Sequence, residues 1–219
     1  MAYVGQCRGA ALIAQCEAHG IGEMTQPNEY PPRRAPWALD NGAFKLWRSG
    51  KPFDGVKFMA VATAAAAREV RPDFVVCPDV VAGGLDSLKL SLAWAPQLRA
   101  LGHRLALVVQ DGMTSDDVAP HLHLFDVVFV GGTLSWKLAT MALWADLAHQ
   151  HGLTCHVGRM GGRGRVLAAK RAGVDSVDSC VPLFSKENMA TFVGGLSDWC
   201  QLTIPGVPER PHRFVERPA

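Results

Sequence analysis

Two short segments, far apart in the sequence, each place an aspartate directly after apolar residues. The first is Ala38-Leu39-Asp40-Asn41-Gly42-Ala43-Phe44, and the second is Gly173-Val174-Asp175-Ser176-Val177-Asp178-Ser179-Cys180. In a parallel α/β barrel each buried strand ends at the catalytic rim, so each segment can deliver one carboxylate there. Asp40 and Asp178 therefore form a candidate pair for breaking and making a glycosidic bond.

The rest of the chain alternates between strand-like and helix-like patterns. Apolar runs predict strands at 3–7, 37–40, 74–77, 105–109, 127–130, 153–157 and 174–177, and a glycine-interrupted one at 20–24. Helical patterns cover 8–19, 52–70, 85–101, 115–122, 134–151, 163–172 and 184–200, and the four prolines of 26–36 predict a loop. Alternating strands and helices favour parallel pairing, and eight strands close a barrel. We therefore expect an α/β fold, a single compact (β/α)8 barrel of TIM type over residues 1–219, with an irregular tail at 200–219.

The composition limits the size, the redox state and the partners that we expect for this protein. A chain of 219 residues with 48% hydrophobic residues suits one domain, and a net charge of +2 gives no overall signal for a polyanionic partner. The six cysteines show no C-x-x-C spacing, which indicates reduced thiols and predicts no zinc knuckle. No signal-like start and no apolar run of roughly 18 residues are present, so we expect a cytoplasmic protein without membrane contact, metal or cofactor.

Polar residues also follow the other predicted strands. Asp79 comes after Cys77-Pro78, and Gln110 opens Gln110-Asp111-Gly112 after the next strand. The two later strands end in Gly131-Gly132-Thr133 and in His156-Val157-Gly158-Arg159. Because the C-terminal ends of parallel strands meet at one rim, these residues should surround Asp40 and Asp178.

This set of segments, in this order, resembles the tRNA-guanine transglycosylase superfamily over residues 37–182. Segment 39–44 is similar to the family's T-D-S-G-G-F, which carries the general acid/base, and 173–182 resembles G-I-D-M-F-D-C-V-x-P, whose second Asp is the nucleophile. Segment 72–79 matches the one whose last Asp reads the guanine edge. Segments 108–112 and 130–132 are similar to the V-Q-G and I-G-G that contact the base oxygen.

The resemblance implies roles for named residues. Asp178 would be the nucleophile and Asp40 the general acid/base. A carboxylate accepts from guanine N1-H and N2-H₂, while an amide and a backbone N–H donate to O6. The implied base-binding residues are Asp79, Gln110, Gly131, Gly132, Thr133 and Phe44.

One departure from the family bears on the polymer substrate. The tRNA enzymes carry a C-x-C-x-x-C and His zinc site in an added subdomain after the nucleophile, and this sequence supplies none. A barrel lacking that zinc subdomain is most similar to the phage and bacterial 7-deazaguanine DNA transglycosylases. The resemblance therefore implies DNA, with guanine flipped or single-stranded, and a 7-deazaguanine such as the 7-cyano form as the incoming base.

Basic residues near the predicted rim suggest contacts to a nucleic-acid backbone. Residues 156–165 contain three arginines and four glycines between strand and helix, where barrels often bind phosphate. The predicted backbone contacts are Arg33, Arg34, Lys137, Arg159, Arg163 and Arg165.

Alternatives to base exchange in DNA stay open at this stage. The chain could act on RNA, hydrolyse the N-glycosidic bond instead of exchanging the base, or serve as a non-catalytic nucleic-acid-binding subunit. An aspartate near a strand can also cap a helix or form an ion pair, and this is our interpretation of Asp73 and Asp175. The oligomeric state is left undetermined.

Overall fold

The computed structural model describes residues 1–201, and these residues form a closed barrel of eight parallel strands. Each strand pairs with the next along the chain, and β1 pairs with β8 to close the barrel. The expected (β/α)8 fold is thus confirmed, while most of the expected irregular tail, from residue 202 on, lies outside the described residues. The strands are β1 Ala2–Val4, β2 Ile21–Thr25, β3 Trp37–Leu39, β4 Val75–Val76, β5 Leu105–Val109, β6 Val127–Val130, β7 Thr154–Val157 and β8 Ser176–Ser179.

Helices follow most strands and cover the outside of the barrel. None in the described part is both long and apolar enough to cross a membrane. The predicted helix 115–122 is α-helical only in its first turn and continues as a 3₁₀ segment, Ala119–Leu124, because Pro120 supplies no N–H. The helices are α1 Ala10–Ala18, α2 Ala43–Arg48, α3 Gly55–Ala66, α4 Leu85–Ala100, α5 Ser115–Val118, α6 Leu134–Gln150, α7 Arg163–Arg171 and α8 Lys186–Gln201, with a second 3₁₀ segment at Val181–Phe184.

The core has two layers because successive side chains of a strand point to opposite faces. Tyr3, Met24, Ala38 and Phe74 belong to the cluster inside the barrel, whereas their strand neighbours pack under the helices. Asp40 comes two residues after Ala38. The alternation therefore directs Asp40 toward the barrel axis, at the C-terminal mouth.

The structure corrects the predicted position of the last strand. Residues 174–177 were expected to form it, but β8 spans Ser176–Ser179, so Asp178 lies within the strand rather than after it. Val174 instead closes the turn after α7, where its N–H donates to the Ala169 carbonyl at 3.1 Å. Asp175 also has a structural role, since its carboxylate accepts from the Cys155 N–H at 2.7 Å and lies 2.8 Å from His149 Nε2.

Helix α2 was not predicted. It begins after Gly42, which has the left-handed φ of 76° that glycine adopts readily, and it occupies the connection between β3 and α3. Connections of this kind lie at the C-terminal rim of a barrel. Helix α2 thus places Phe44 and Trp47 at the mouth.

Candidate active site

Asp178 is held at one of its two carboxylate oxygens. His156 Nε2 lies 3.1 Å from Oδ1, and the Arg159 backbone N–H donates to the same oxygen at 3.3 Å. Both described contacts are therefore to Oδ1. The carboxylate is anchored by one oxygen while its side chain stays 14% exposed at the mouth.

His156 is completely buried inside the barrel. Its Nδ1 lies 2.8 Å from Ser176 Oγ, and its ring packs against Phe129 in a tilted arrangement with centroids 4.6 Å apart. Burial lowers the pKa of His156, while the hydrogen bond and charge of Asp178 act in the opposite direction. A neutral ring satisfies this arrangement when Nδ1 accepts from Ser176 and Nε2 donates to Asp178.

Asp40 occupies a different environment from Asp178. Its backbone N–H donates to the Thr25 carbonyl at 2.8 Å, and its Oδ1 accepts from the Gly42 N–H at 3.2 Å. The pKa of Asp40 is raised to about 7: burial is the largest cause, the Gly42 N–H acts against it, and the charges of Asp178 and Asp79 contribute to the rise. Asp40 can therefore both donate and accept a proton near neutral pH.

Asn41 joins Asp79 to the end of β3. The buried Asn41 amide donates to Asp79 Oδ1 at 2.7 Å and to the Cys77 carbonyl at 2.8 Å, and its own oxygen accepts from the Ala43 N–H at 2.8 Å. Burial raises the pKa of Asp79, and the Asn41 hydrogen bond opposes that effect. The segment that carries Asp40 thus also positions Asp79.

Gln110 lies beside the Asp79 segment. Its side chain is buried, and its Nε2 donates to the carbonyl of Val80 at 2.9 Å. A carboxamide nitrogen carries two hydrogens, so this contact uses one donor and orients the other. Asp79 and Gln110 are therefore brought together, as the sequence predicted.

The loop that follows β6 is fixed by Asp111. Its carboxylate accepts from both the backbone N–H and the hydroxyl of Thr133, each at 2.7 Å. Gly132 has a φ of 76°, and a Cβ at this position would lie 2.2 Å from Asp111 Oδ2, so only glycine fits. Thr133 also caps α6. Its side chain holds the loop in place, which differs from the base contact expected for it.

Arg159 lies across the mouth of the barrel. Its guanidinium is 4.4 Å from the centroid of the Phe44 ring and donates to the Gly132 carbonyl at 2.7 Å. Arg159 has a left-handed φ of 62°, which is unusual for a residue other than glycine. It therefore belongs with Phe44 and Gly132, the expected base-binding residues, rather than with the outer arginines.

Two predicted backbone contacts are wrong. Lys137 is 1% exposed, its Nζ donates to the Gly158 carbonyl, and burial lowers its pKa to about 8. Arg34 is packed between α1 and β2, where it pairs with Glu23 at 3.2 Å and Glu17 at 3.7 Å. Both cations are enclosed by the fold, so neither is presented to a polymer.

The other predicted backbone contacts are exposed. Arg33, Arg163 and Arg165 have accessible side chains, and Arg163 Nε lies 2.5 Å from Asp198 Oδ2 on α8. Arg163 and Arg165 stand on the first turn of α7, at the catalytic end of the barrel. They remain candidates for phosphate contacts.

Sequence reasoning did not assign roles to His156 and Asn41. The sequence did contain a signal for His156. It lies between the apolar Cys155 and Val157 on β7, and because side chains alternate along a strand, it faces the opposite way, into the barrel. Asn41 offered no comparable signal, since its partner Asp79 is 38 residues away. Contacts over such separations depend on the closed barrel.

Comparisons with known proteins gave no match: no family model matches the chain, and no curated protein sequence matches it significantly. Fold and site together define a (β/α)8 barrel with three neighbouring aspartates at its C-terminal mouth.

Proposed function

We propose that this chain is a guanine transglycosylase that exchanges guanine in DNA for a 7-deazaguanine base, such as 7-cyano-7-deazaguanine. The observation that carries the proposal is the contrast between two aspartates at one mouth. Asp40 has a pKa raised to about 7, whereas Asp178 is anchored through one oxygen by His156. Carboxyl groups in such different environments suit an acid/base and a nucleophile.

In the first half-reaction Asp178 attacks C1′ of the target nucleotide. The C1′–N9 bond breaks as an ester bond from the carboxylate to C1′ forms, and the departing guanine takes a proton from Asp40. A raised pKa keeps a large share of Asp40 protonated at neutral pH. The sugar is then held covalently, with its configuration at C1′ inverted.

In the second half-reaction the incoming base displaces Asp178. The ionised Asp40 accepts the proton from the N9 position of the base, the new glycosidic bond forms, and the carboxylate leaves. The N–H donors at Oδ1, from His156 and Arg159, stabilise the negative charge that returns to Asp178. Two inversions restore the original configuration.

Guanine selectivity follows from the groups beside Asp40. Asp79 accepts hydrogen bonds, and the Gln110 amide donates them, which matches the donor and acceptor edge of guanine. Adenine would leave the partly buried Asp79 facing an unsuitable partner, at a cost of about 1–3 kcal/mol. The Phe44 ring and the Arg159 guanidinium that packs on it supply a flat surface beside the base.

The test is a product assay. Purified protein is incubated with a guanine-containing DNA oligonucleotide and 7-cyano-7-deazaguanine, and the digested nucleosides are analysed by mass spectrometry. Incorporation of the modified nucleoside with release of guanine supports the proposal. Guanine release that leaves abasic sites would instead assign an N-glycosidase, and incorporation only into RNA would move the substrate to RNA. Absence of all three products with active-site residues intact would favour a non-catalytic binding protein.

A further inference from the structure

The three most exposed aromatic side chains of the described part lie in connections between strands and helices at the mouth of the barrel. Tyr30 is 87% exposed, Phe184 73% and Trp47 56%. They belong to the connections that follow β2, β8 and β3, and these connections leave the C-terminal ends of the strands. None of the proposed catalytic steps uses them.

A chain of contacts connects Trp47 to the acid pair. Its ring lies 5.8 Å from the Phe44 ring, which is covered by the Arg159 guanidinium, and the Arg159 N–H reaches Asp178. Only the Phe44 side chain therefore lies between Trp47 and Arg159, the residue that reaches the nucleophile. It lies on the outer part of α2.

Tyr30 and Phe184 belong to connections that lie next to β1. The Tyr30 carbonyl accepts from Gln6 Nε2 at 2.9 Å, just after β1. Phe184 ends the 3₁₀ segment that follows Cys180, and a Cβ on Gly5 would be 3.0 Å from Cys180 Sγ. Since β1 lies between β8 and β2, the connections that carry these two rings stand on either side of β1, the strand that pairs with the Asp178 strand β8.

Exposed cations accompany these aromatic residues. Lys45 and Arg48 stand with Trp47 on the short α2, and Arg8 donates to the Gln6 side chain that also holds the loop of Tyr30. All three cations are exposed. Aromatic faces beside cations suit a polyanion whose bases are free to stack.

We infer that this aromatic and cationic rim binds a single strand of DNA across the mouth. Bases next to the target nucleotide stack on Trp47 and on Tyr30 or Phe184, while the target base enters the mouth. A duplex offers no free base faces, because its bases are stacked on one another, so the rim selects single-stranded or locally opened DNA. The position of the target base rests on the proposed function, but strand binding itself requires no exchange.

The experiment measures binding in the absence of any incoming base. A fluorescein-labelled DNA strand of about 12 nucleotides with a single guanine is titrated with protein, alone and as a blunt duplex, and anisotropy is recorded. The single strand should bind more tightly than the duplex. Trp47→Ala and the double variant Tyr30→Ala/Phe184→Ala should each weaken strand binding about 5- to 100-fold, whereas Trp47→Phe should keep most of it. Leu143→Ala, an exposed apolar position on the outer side of α6, should bind as the wild type.

Several results would overturn the inference. One is duplex binding that is as tight as, or tighter than, binding of the single strand. Another is unchanged affinity for the single strand in both aromatic variants when their circular dichroism shows that they are folded. If the rim instead binds a second copy of the chain, sedimentation would show a dimer that is lost in Trp47→Ala while the affinity for DNA is unchanged. Strand binding with no base exchange would contradict the proposed function alone.

Discussion

His156 Nε2 and Asp178 Oδ1 lie 3.1 Å apart, and no other side chain of the described residues donates a hydrogen bond to this carboxylate. His156 is in turn fixed by Ser176, two residues before Asp178 on β8, and by packing against the Phe129 ring. Asp178 thus lies on β8, and His156, which holds it, lies on the adjacent strand β7. The orientation of the proposed nucleophile is a property of the barrel interior rather than of a loop.

Replacing His156 should slow the chemistry more than it weakens DNA binding. His156→Phe removes a hydrogen bond to a charged group, for which we expect kcat to fall about 10- to 100-fold with KM for DNA little changed. His156→Gln, whose amide N–H can reach toward Asp178, should recover part of the rate. The buried His103, which bonds to the Ala62 carbonyl, provides the control variant His103→Gln. Equal kcat for His156→Phe and wild type would contradict a positioning role.

Asp178→Asn should abolish base exchange while leaving the fold intact, because the amide cannot form the covalent bond to C1′. Wild-type protein incubated with DNA and an unreactive base analogue should yield a protein–DNA adduct in denaturing gels and intact-mass spectra. The adduct should be absent from Asp178→Asn. Retention of more than a few per cent of exchange by this variant would refute Asp178 as the nucleophile.

The raised pKa of Asp40 predicts a particular pH dependence of stability. The folded-state pKa of about 7 exceeds the unfolded value of about 3.9, so between these values the native state binds more protons than the unfolded state. The Asp40 contribution to the free energy of unfolding therefore falls as pH rises through this window and is constant above it. Asp40→Asn should raise the thermal midpoint relative to wild type at about pH 8 but not at about pH 4. Differential scanning calorimetry at both pH values checks this.

The same group should set the alkaline limb of the pH profile of catalysis. Because the first half-reaction requires protonated Asp40, single-turnover release of guanine should decrease as pH rises above about 7. In Asp40→Asn this dependence should disappear along with most of the rate. An unchanged pH profile in the variant would assign the proton transfer to another residue.

Loss of Asn41 should impair base recognition through Asp79. Asn41→Ala removes the donor that opposes the burial-induced rise in the pKa of Asp79, so the pKa of Asp79 should rise further. A more protonated Asp79 accepts fewer hydrogen bonds, and we expect KM for the incoming base to rise about 10-fold. Asn41→Asp should be worse, since it places a second carboxylate beside Asp79. Inhibition by free guanine measures the effect directly.

The two ends of α7 offer a matched test of phosphate binding. Arg165 lies near the start of α7, toward the mouth, and Arg171 near its end, and both are exposed. Arg165→Ala should weaken DNA binding uniformly across sequences and reduce the slope of log affinity against log salt by about 0.7, while Arg171→Ala should change neither. Equal effects of the two variants would indicate a general charge effect instead of a local contact.

Local patterns in the sequence determined the barrel and the rim. Apolar runs of strand length are visible without any knowledge of distant contacts, and parallel strands necessarily bring the residues after them to one edge. For this reason Asp40, Asp79 and Gln110 were placed together correctly from the sequence. The error at β8 arose from Val174, an apolar residue that packs in the core at the end of a turn instead of in a strand.

Tertiary structure alone decided which polar groups are buried and what they contact. Lys137 looks like any cation near a helix start, and only the packing of α6 against β7 encloses it beside the Gly158 carbonyl. Likewise, the rise in the pKa of Asp40 comes from burial and from two carboxylates distant in the chain. Desolvation and Coulomb interactions depend on three-dimensional distance, and sequence separation does not report that distance until the barrel closes.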